Sequence, residues 1–332
     1  MTVSLHTADL PRSLRPARSR GDRVFRFGVT GVGVFVLVIV GAIGLFLGAQ
    51  LVPTLRRYGL HFFTQNQWVP NRNIIGVSAA VLGTVEVALI ALLIAFPLAL
   101  ATALYISEYA PVRLRSLLTS LVDLMAAVPS IVYGVWGVFV LEPHAKFIAR
   151  WLAEYAGWFP LFHVAGGDPH SASWPQSRYV ASAFIASLAV SMMVIPLACA
   201  VMRNVFSQAP LHEREAALAL GATRWGVVRS VVLPFGRAGI VGGTMLGLGR
   251  ALGETVAVLL IISPAFDLSL HPLQTGGITI SSLIANGFNE ATSVQLSALL
   301  AAGFVLFCMT LAVNTLAAMI VNRSRSGAAT EI

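Results

Sequence analysis

Charge is what this chain has little of. Only 11% of its 332 residues are Asp, Glu, Lys or Arg, against 57% hydrophobic, and its mean hydropathy is +0.80. A soluble domain of this length needs far more charge on its surface. Cysteine is scarce as well. Cys199 and Cys308 are the only two, and both lie in apolar runs, where they read as small buried residues and say little about redox compartment. Catalytic signatures are missing too. No Walker loop cradles a phosphate, so ATP hydrolysis by that route is excluded. His144, His163, His170 and His271 lack the short paired spacing of a metal site. Ser130 follows Pro129 in "AAVPSIVYGVWG" without a nucleophile elbow. Neither an enzyme nor a cofactor is expected, and any solute movement must draw on a gradient or on a partner.

Long apolar runs are plentiful. Uncharged stretches fall at 27–55, 87–107, 124–141, 179–202 and 291–322, several longer than the roughly 20 residues that cross about 30 Å of hydrocarbon as helix. No alternating barrel pattern is visible, and backbone satisfaction in lipid then demands helices. The expected fold is an all-α polytopic membrane protein with six transmembrane helices, near 27–52, 78–106, 116–141, 179–202, 237–263 and 295–321. A basic arm, 1–26, precedes this domain (27–321), and a short tail, 322–332, follows it.

The net charge of +8 is a topology signal rather than a nucleic-acid footprint. Arg12, Arg15, Arg18, Arg20, Arg23 and Arg26 precede the first span with no aromatic-rich module beside them. The apolar stretch from Phe27 also exceeds a signal-peptide core of about 7–15 residues. With the N-terminus inside, arginines concentrate in the arm, the tail and the connections at 113–115 and 203–237, while the outer segments hold Arg56, Arg57, Arg72, Lys146, Arg150 and Arg178. Both termini are therefore expected in the cytoplasm. The outer connection 143–178 begins with an amphipathic stretch, "HAKFIARWLAEYAGWF", suited to the interface. A second outer loop, 265–294, is expected to hold a short helix.

The connection 203–236 carries the decisive motif, "EREAALALGATRWGVVRSVVLP" (213–234). It reads as two short helices about a break. Gly221 supplies a left-handed turn, Thr223 caps the second helix, and that helix ends before Pro234. The stretch resembles the EAA coupling motif of ABC-importer permeases, with Glu215, Ala216, Ala217 and Gly221 at the family's positions. "ALYISEYAP" (103–111), "MAAVPSIVYGVWG" (125–137) and "GRALGET" (249–255) narrow the resemblance to phosphate importers. "PSIVYGVWG" followed by "FVLEP" favours the PstC-type permease over its PstA-type sister. The likeness spans about 76–321. It implies a type I importer fold and a multi-pass subunit of the bacterial plasma membrane. The implied partners are a PstA-type sister permease, two copies of an ATPase subunit that bind ATP, an extracytoplasmic phosphate-binding protein, and inorganic phosphate as the solute.

One charged pair stands out. "GLGRALGETVAVLL" (247–260) places Arg250 and Glu254 in an apolar, glycine-rich run, where desolvation costs several kcal/mol unless a charge is paired or hydrated. On a continuous helix Gly243, Gly247, Arg250 and Glu254 share one face, and the two charges touch. Arg before Glu is the weaker order for helix support, so a role in the substrate pathway explains the pair better than a local bridge. A guanidinium fork matches phosphate oxygens, and the resemblance carries pathway charges to these same two residues. Glu86 and Asp123 are further acids in expected spans, each a candidate partner for an arginine. Two alternatives stay open: a permease for another oxyanion such as sulfate or molybdate, and a proton-coupled secondary carrier using Glu86, Asp123 and Glu254.

Overall fold

The computed structural model of the protein describes residues 20–166, 168–171 and 173–325. Arg12, Arg15 and Arg18 of the basic arm, and the tail from 326, lie outside the described residues. The chain divides into two compact units, residues 1–46 and 47–332. The described part of the first is the leading portion of helix α1 (Arg20–Tyr58), whose Val24, Phe27, Phe35, Leu37 and Leu45 are all exposed. A helix apolar on every side is suited to lipid rather than water.

Among the described residues, the regular elements of the second unit are helices apart from one hairpin of two two-residue strands. After α2 (His61–Thr64), strands β1 (Trp68–Val69) and β2 (Ile74–Ile75) pair antiparallel, Trp68 opposite Ile75. Then come α3 (Ser78–Leu104), α4 (Val112–Ala127), α5 (Ser130–Trp136), α6 (Glu142–Ala156) and α7 (Ala183–Phe206). The coupling connection holds α8 (Leu211–Ala219) and α9 (Arg224–Val227), and the chain closes with α10 (Leu233–Leu252), α11 (Val256–Ile261), α12 (Ile280–Gly287) and α13 (Ser293–Arg325).

The centre is built from small residues. Along α3, Ala88, Ala91, Ala95, Ala99 and Ala103 are fully buried, at spacings of three and four that keep them on one face. They share clusters with α7 residues such as Ala186, Val190, Val194, Ala198 and Met202. Helix α10 also meets α7, through glycines. A Cβ on Gly239 would lie 2.6 Å from Val205, and one on Gly247 would lie 2.6 Å from Val194. Close approach through small side chains is how helices associate where water gives no hydrophobic drive.

Among the described residues, six helical stretches are long and apolar enough to cross a membrane: 21–58, 78–109, 130–156, 183–206, 224–252 and 293–321. Two differ from the sequence expectation. The third is expected at 116–141, but Val128 is extended (ψ 129°) ahead of Pro129 and α4 stops at Ala127, in keeping with the bias of proline against helical backbone at the residue before it. The stretch resumes at Ser130 and runs through a π-type turn (Gly137–Leu141) into α6. The expected 143–178 loop therefore opens on helix. Ala145, Ala149 and Ala153 bury one side of α6 while Phe147, Trp151 and Tyr155 remain exposed.

The fifth stretch starts at Arg224 and not at 237. Pro234 does not end the helix as expected. A π-type turn over Val228–Val232 precedes it, and this wider turn absorbs a residue that has no N–H for the regular ladder. The coupling segment is thus continuous with α10. Of the two cysteines, Cys199 is buried as expected but Cys308 is exposed.

Candidate functional site: an interrupted helix and a coupling bracket

The helix expected to carry both charges of "RALGET" breaks between them. Helix α10 ends at Leu252, and Gly253 (φ −92°, ψ 0°) closes it with its N–H on the Arg250 carbonyl, 3.2 Å away. Thr255 departs further from helical geometry (φ −113°) before α11 begins at Val256. Arg250 and Glu254 consequently do not form the expected i,i+4 contact. No ion pair joins them among the described residues. A glycine-containing break, invisible to a periodicity argument, separates their directions.

The two charges have opposite fates. Glu254 is 8% exposed. Its Oε1 accepts the Ala257 N–H at 3.2 Å, capping the start of α11, and its backbone carbonyl accepts the Ser281 hydroxyl at 2.6 Å. Its negative charge therefore sits at a helix N-terminus, where backbone dipoles favour it. Arg250 is exposed in the last turn of α10. No hydrogen bond or ion pair holds it among the described residues. It is a guanidinium with its fork free.

Other sequence motifs form the wall around this break. From "PSIVYGVWG", Gly134 and Gly137 seat α11: a Cβ on Gly134 would stand 2.9 Å from the Ala257 Cα, and one on Gly137 2.5 Å from the Ile261 side chain. Tyr133 donates its hydroxyl to the Met125 carbonyl at 2.9 Å, bridging the Pro129 break. The loop 262–279 returns to α12, whose N-terminus carries a capping box of Thr279 and Ser282. The Ile280 N–H reaches Thr84 Oγ1 on α3 at 2.9 Å. Two of the resemblance motifs, remote in sequence, are one packed object.

The coupling bracket matches the sequence reading at its turn. Gly221 has φ +85°, and its N–H bonds the Leu218 carbonyl at 2.9 Å. Thr223 caps α9, its Oγ1 accepting the Gly226 N–H at 3.1 Å. Glu215 and Ala216 are exposed and Ala217 is half-buried. None of α8 is fully buried. Leu211, Leu218, Leu220 and Trp225 stand in the open, Leu220 at 90% exposure. These exposed large apolar side chains, set among the exposed His212, Glu213, Glu215 and Arg224, mark an interaction face along the bracket.

What anchors the bracket escaped the sequence reading. Arg214 Nη1 lies 3.0 Å from Glu108 Oε2, and Nη2 donates to the Phe206 carbonyl at 2.6 Å. Arg214 precedes the EAA triplet and Glu108 lies in "ISEYAP", so two quoted motifs meet here. An acid at the very end of an apolar run was the available signal. Asp123 does find the arginine partner expected for it: Arg203 Nη2, at 3.3 Å. Glu86 finds none. Its Oε1 is buried without a hydrogen-bond partner, beside a cavity of about 50 Å³ lined also by Asp267, His271 and Gln274. No group of three or more metal-ligating side chains occurs among the described residues.

Comparison with known proteins fits this architecture. The family described as binding-protein-dependent transport system inner membrane component matches residues 95–326. The phosphate transport system permease protein PstC 2 of Mycobacterium tuberculosis (strain ATCC 25618 / H37Rv) is 40% identical over 323 residues, 95% of each chain. The phosphate transport system permease protein PstC of Xylella fastidiosa (strain Temecula1 / ATCC 700964) is 39% identical over 315 residues, 94% of this chain and 93% of the relative. Among solved structures, a chain of a bacterial alginate ABC transporter, in complex with an alginate pentasaccharide-bound periplasmic protein, superposes with a TM-score of 0.58. It is 16% identical and covers 92% of this chain and 97% of its own. A chain of the MetNI methionine ABC transporter in an inward facing conformation gives 0.52 at 15% identity, covering 78% and 99%. These two likenesses are of fold, the type I importer permease with its six apolar helices. With the family's match over most of the length and relatives this close, the chain belongs to the binding-protein-dependent transport system inner membrane components, as a multi-pass PstC-type transport permease subunit and not an enzyme.

Proposed function

We propose that this chain forms one half of the translocation path of an ATP-driven inorganic phosphate importer. A PstA-type sister permease supplies the other half. Two ATPase subunits dock beneath the pair, and an extracytoplasmic phosphate-binding protein delivers the solute from above. The carrying observation is the bracket α8–Gly221–α9. It exposes large apolar side chains, yet is joined through Arg214 to the π-type turn that follows α3 (Tyr105–Tyr109) and to the end of α7, and is continuous with α10. Such an element transmits a push from below into the helix that ends in Arg250. A gradient-driven carrier has no use for it.

The substrate reading rests on Arg250 and on the phosphate named for the relatives. An unpaired guanidinium offers a planar fork to a tetrahedral oxyanion. Glu254, just ahead of α11 beyond the break, is held by the Ala257 N–H and leaves the Arg250 guanidinium unpaired. The domain limits follow with small changes: permease domain from the first apolar helix to about 321, coupling connection 203–236, both termini cytoplasmic.

Reconstituted complex with ATP inside the vesicles should accumulate radiolabelled phosphate only when the binding protein is present. Excess sulfate or molybdate should leave that uptake unchanged. Uptake without ATP, or equal competition by sulfate, overturns the assignment. Orientation has its own check. Single cysteines at Ser173 and Ser207, in a background lacking Cys199 and Cys308, should label from opposite sides of spheroplast membranes, Ser173→Cys from outside.

A further inference from the structure

A second arginine cluster lies at the end of the molecule that carries α8. Arg115 and Thr119 of α4, Arg203 and Asn204 at the end of α7, Ser207 just after it, and Arg214 of α8 line one cavity of about 320 Å³. No carboxylate is among its lining residues. Two acids touch these arginines from outside it: Asp123 on Arg203 and Glu108 on Arg214. Arg115 is held only by its Nη2 donating to the Ser107 carbonyl at 2.7 Å. Three guanidinium charges against two carboxylates leave an excess of one positive charge. Asp123, at 52% side-chain exposure, is largely screened by solvent.

The donors are incompletely used. Arg203 Nη1 and Arg214 Nε are both buried without a hydrogen-bond partner among the described residues, on side chains only 12% and 19% exposed; Glu108 Oε1 is the one acceptor of this cluster that is likewise unpartnered. Buried N–H groups left unpaired cost about 1–3 kcal/mol each, more when charged, so such pairs call for an acceptor. Thr119, Asn204 and Ser207 add neutral hydrogen-bonding groups to the same wall. Converging guanidinium forks with hydroxyl and amide support fit a phosphate group better than a carboxylate or chloride, since a phosphate presents three or four acceptor oxygens in different directions.

We infer that this cavity is a second phosphate-group site, distinct from the Arg250 region, bridging α4, α7 and the coupling helix α8. A bound phosphate group cross-links three elements whose relative positions the bracket must change, so occupancy restrains coupling. Two sources carry the same chemistry: free inorganic phosphate, or the headgroup of an anionic phospholipid. The site stands on its own arginine geometry and does not depend on which solute crosses the membrane.

The test uses the assembled complex bearing Thr119→Cys in a background lacking Cys199 and Cys308, purified in phospholipid-free detergent. Labelling of that thiol by a maleimide is timed with added inorganic phosphate, with phosphatidylglycerol, and with chloride at equal ionic strength. Phosphate or phosphatidylglycerol should slow labelling about tenfold at about ten times its half-protecting concentration, the unoccupied fraction expected for one site. Protection by phosphate identifies the free anion, protection by phosphatidylglycerol alone identifies the headgroup, and chloride should give none. Arg115→Gln should abolish the protection, while Arg250→Leu should leave it intact. No protection by either phosphate source, or protection that survives Arg115→Gln, overturns the inference. Because labelling reports only this cavity, it is independent of whether phosphate uptake is observed.

Discussion

The chain places an arginine with a glutamate in two places and treats them oppositely. At the coupling end, Arg214 and Glu108 are 106 residues apart in sequence and meet at 3.0 Å, both nearly buried. At the interrupted helix, Arg250 and Glu254 are four apart and do not pair. Proximity along the chain therefore says less than the local backbone does. The Arg214–Glu108 fork is a mechanical tie, because Nη1 and Nη2 are already engaged with Glu108 and the Phe206 carbonyl, leaving only Nε without a partner. An open fork beside a separately satisfied carboxylate is available in full to a passing anion.

Breaking the closed pair should have the largest effect. Arg214→Leu leaves Glu108 buried without its cation, a change that costs about 3–5 kcal/mol. The complex should melt at a lower temperature and hydrolyse ATP with little accompanying uptake. Adding Glu108→Leu should recover much of the stability, since neither charge then stands alone, but not the coupling. A single mutant as stable as the parent would show that the fork is not a tie.

The open pair should respond differently. Arg250→Leu removes a side chain that no hydrogen bond or ion pair holds among the described residues, so assembly should be unchanged. Uptake should fall about 100-fold, the loss of two charge-assisted hydrogen bonds at about 1.5 kcal/mol each. Arg250→Lys keeps the charge without the fork and should transport poorly as well. Combining Arg250→Leu with Glu254→Leu should not rescue uptake, because the two residues are not partners. Radiolabelled phosphate uptake per assembled complex reads all three, and rescue by the double variant would restore a direct ion pair in place of a pathway role.

The bend at Gly221 comes next in size. A Cβ there meets open space, so Gly221→Val acts through the backbone alone. A β-branched residue at φ +85° carries strain of about 1–3 kcal/mol. The bracket should relax to another turn and lose its fit to the ATPase. Uptake should drop while membrane insertion and the level of the chain stay normal. Full uptake by a well-expressed Gly221→Val complex would remove the bracket from the coupling pathway.

This comparison also shows what a sequence can disclose. Gly221 and Thr223 were legible because their conformations are set by their own neighbours. The six apolar helices were legible because burial in lipid imposes length and composition. The third span was misplaced because an apolar run continues across Val128–Pro129 while the backbone does not. The contact of Arg250 with Glu254 was misjudged for a similar reason: helical spacing assumes a helix, and Gly253 ends it. The Arg214–Glu108 fork, the seat that Gly134 and Gly137 make for α11, and the three-arginine cavity all depend on tertiary contacts between distant segments. No local pattern encodes them, although the charges themselves were visible.

The smallest effect separates exposed pairing from buried pairing at the same end of the molecule. Asp123 and Arg203 form an ion pair at 3.3 Å, but the Asp123 side chain is 52% exposed while Glu108 is 11% exposed. Water competes for the first carboxylate and not for the second. Asp123→Asn should therefore cost no more than about 1 kcal/mol, against the several expected at Arg214. Its effect should also shrink as salt is raised from about 0.01 to 1 M, as the Debye length contracts from about 30 to 3 Å; that of Arg214→Leu should hold nearly constant. Denaturation midpoints of the two complexes at low and high salt measure the contrast. An Asp123→Asn loss as large and as salt-insensitive as that of Arg214→Leu would make Arg203–Asp123 a second tie of the coupling bracket, and the distinction between the two pairs would disappear.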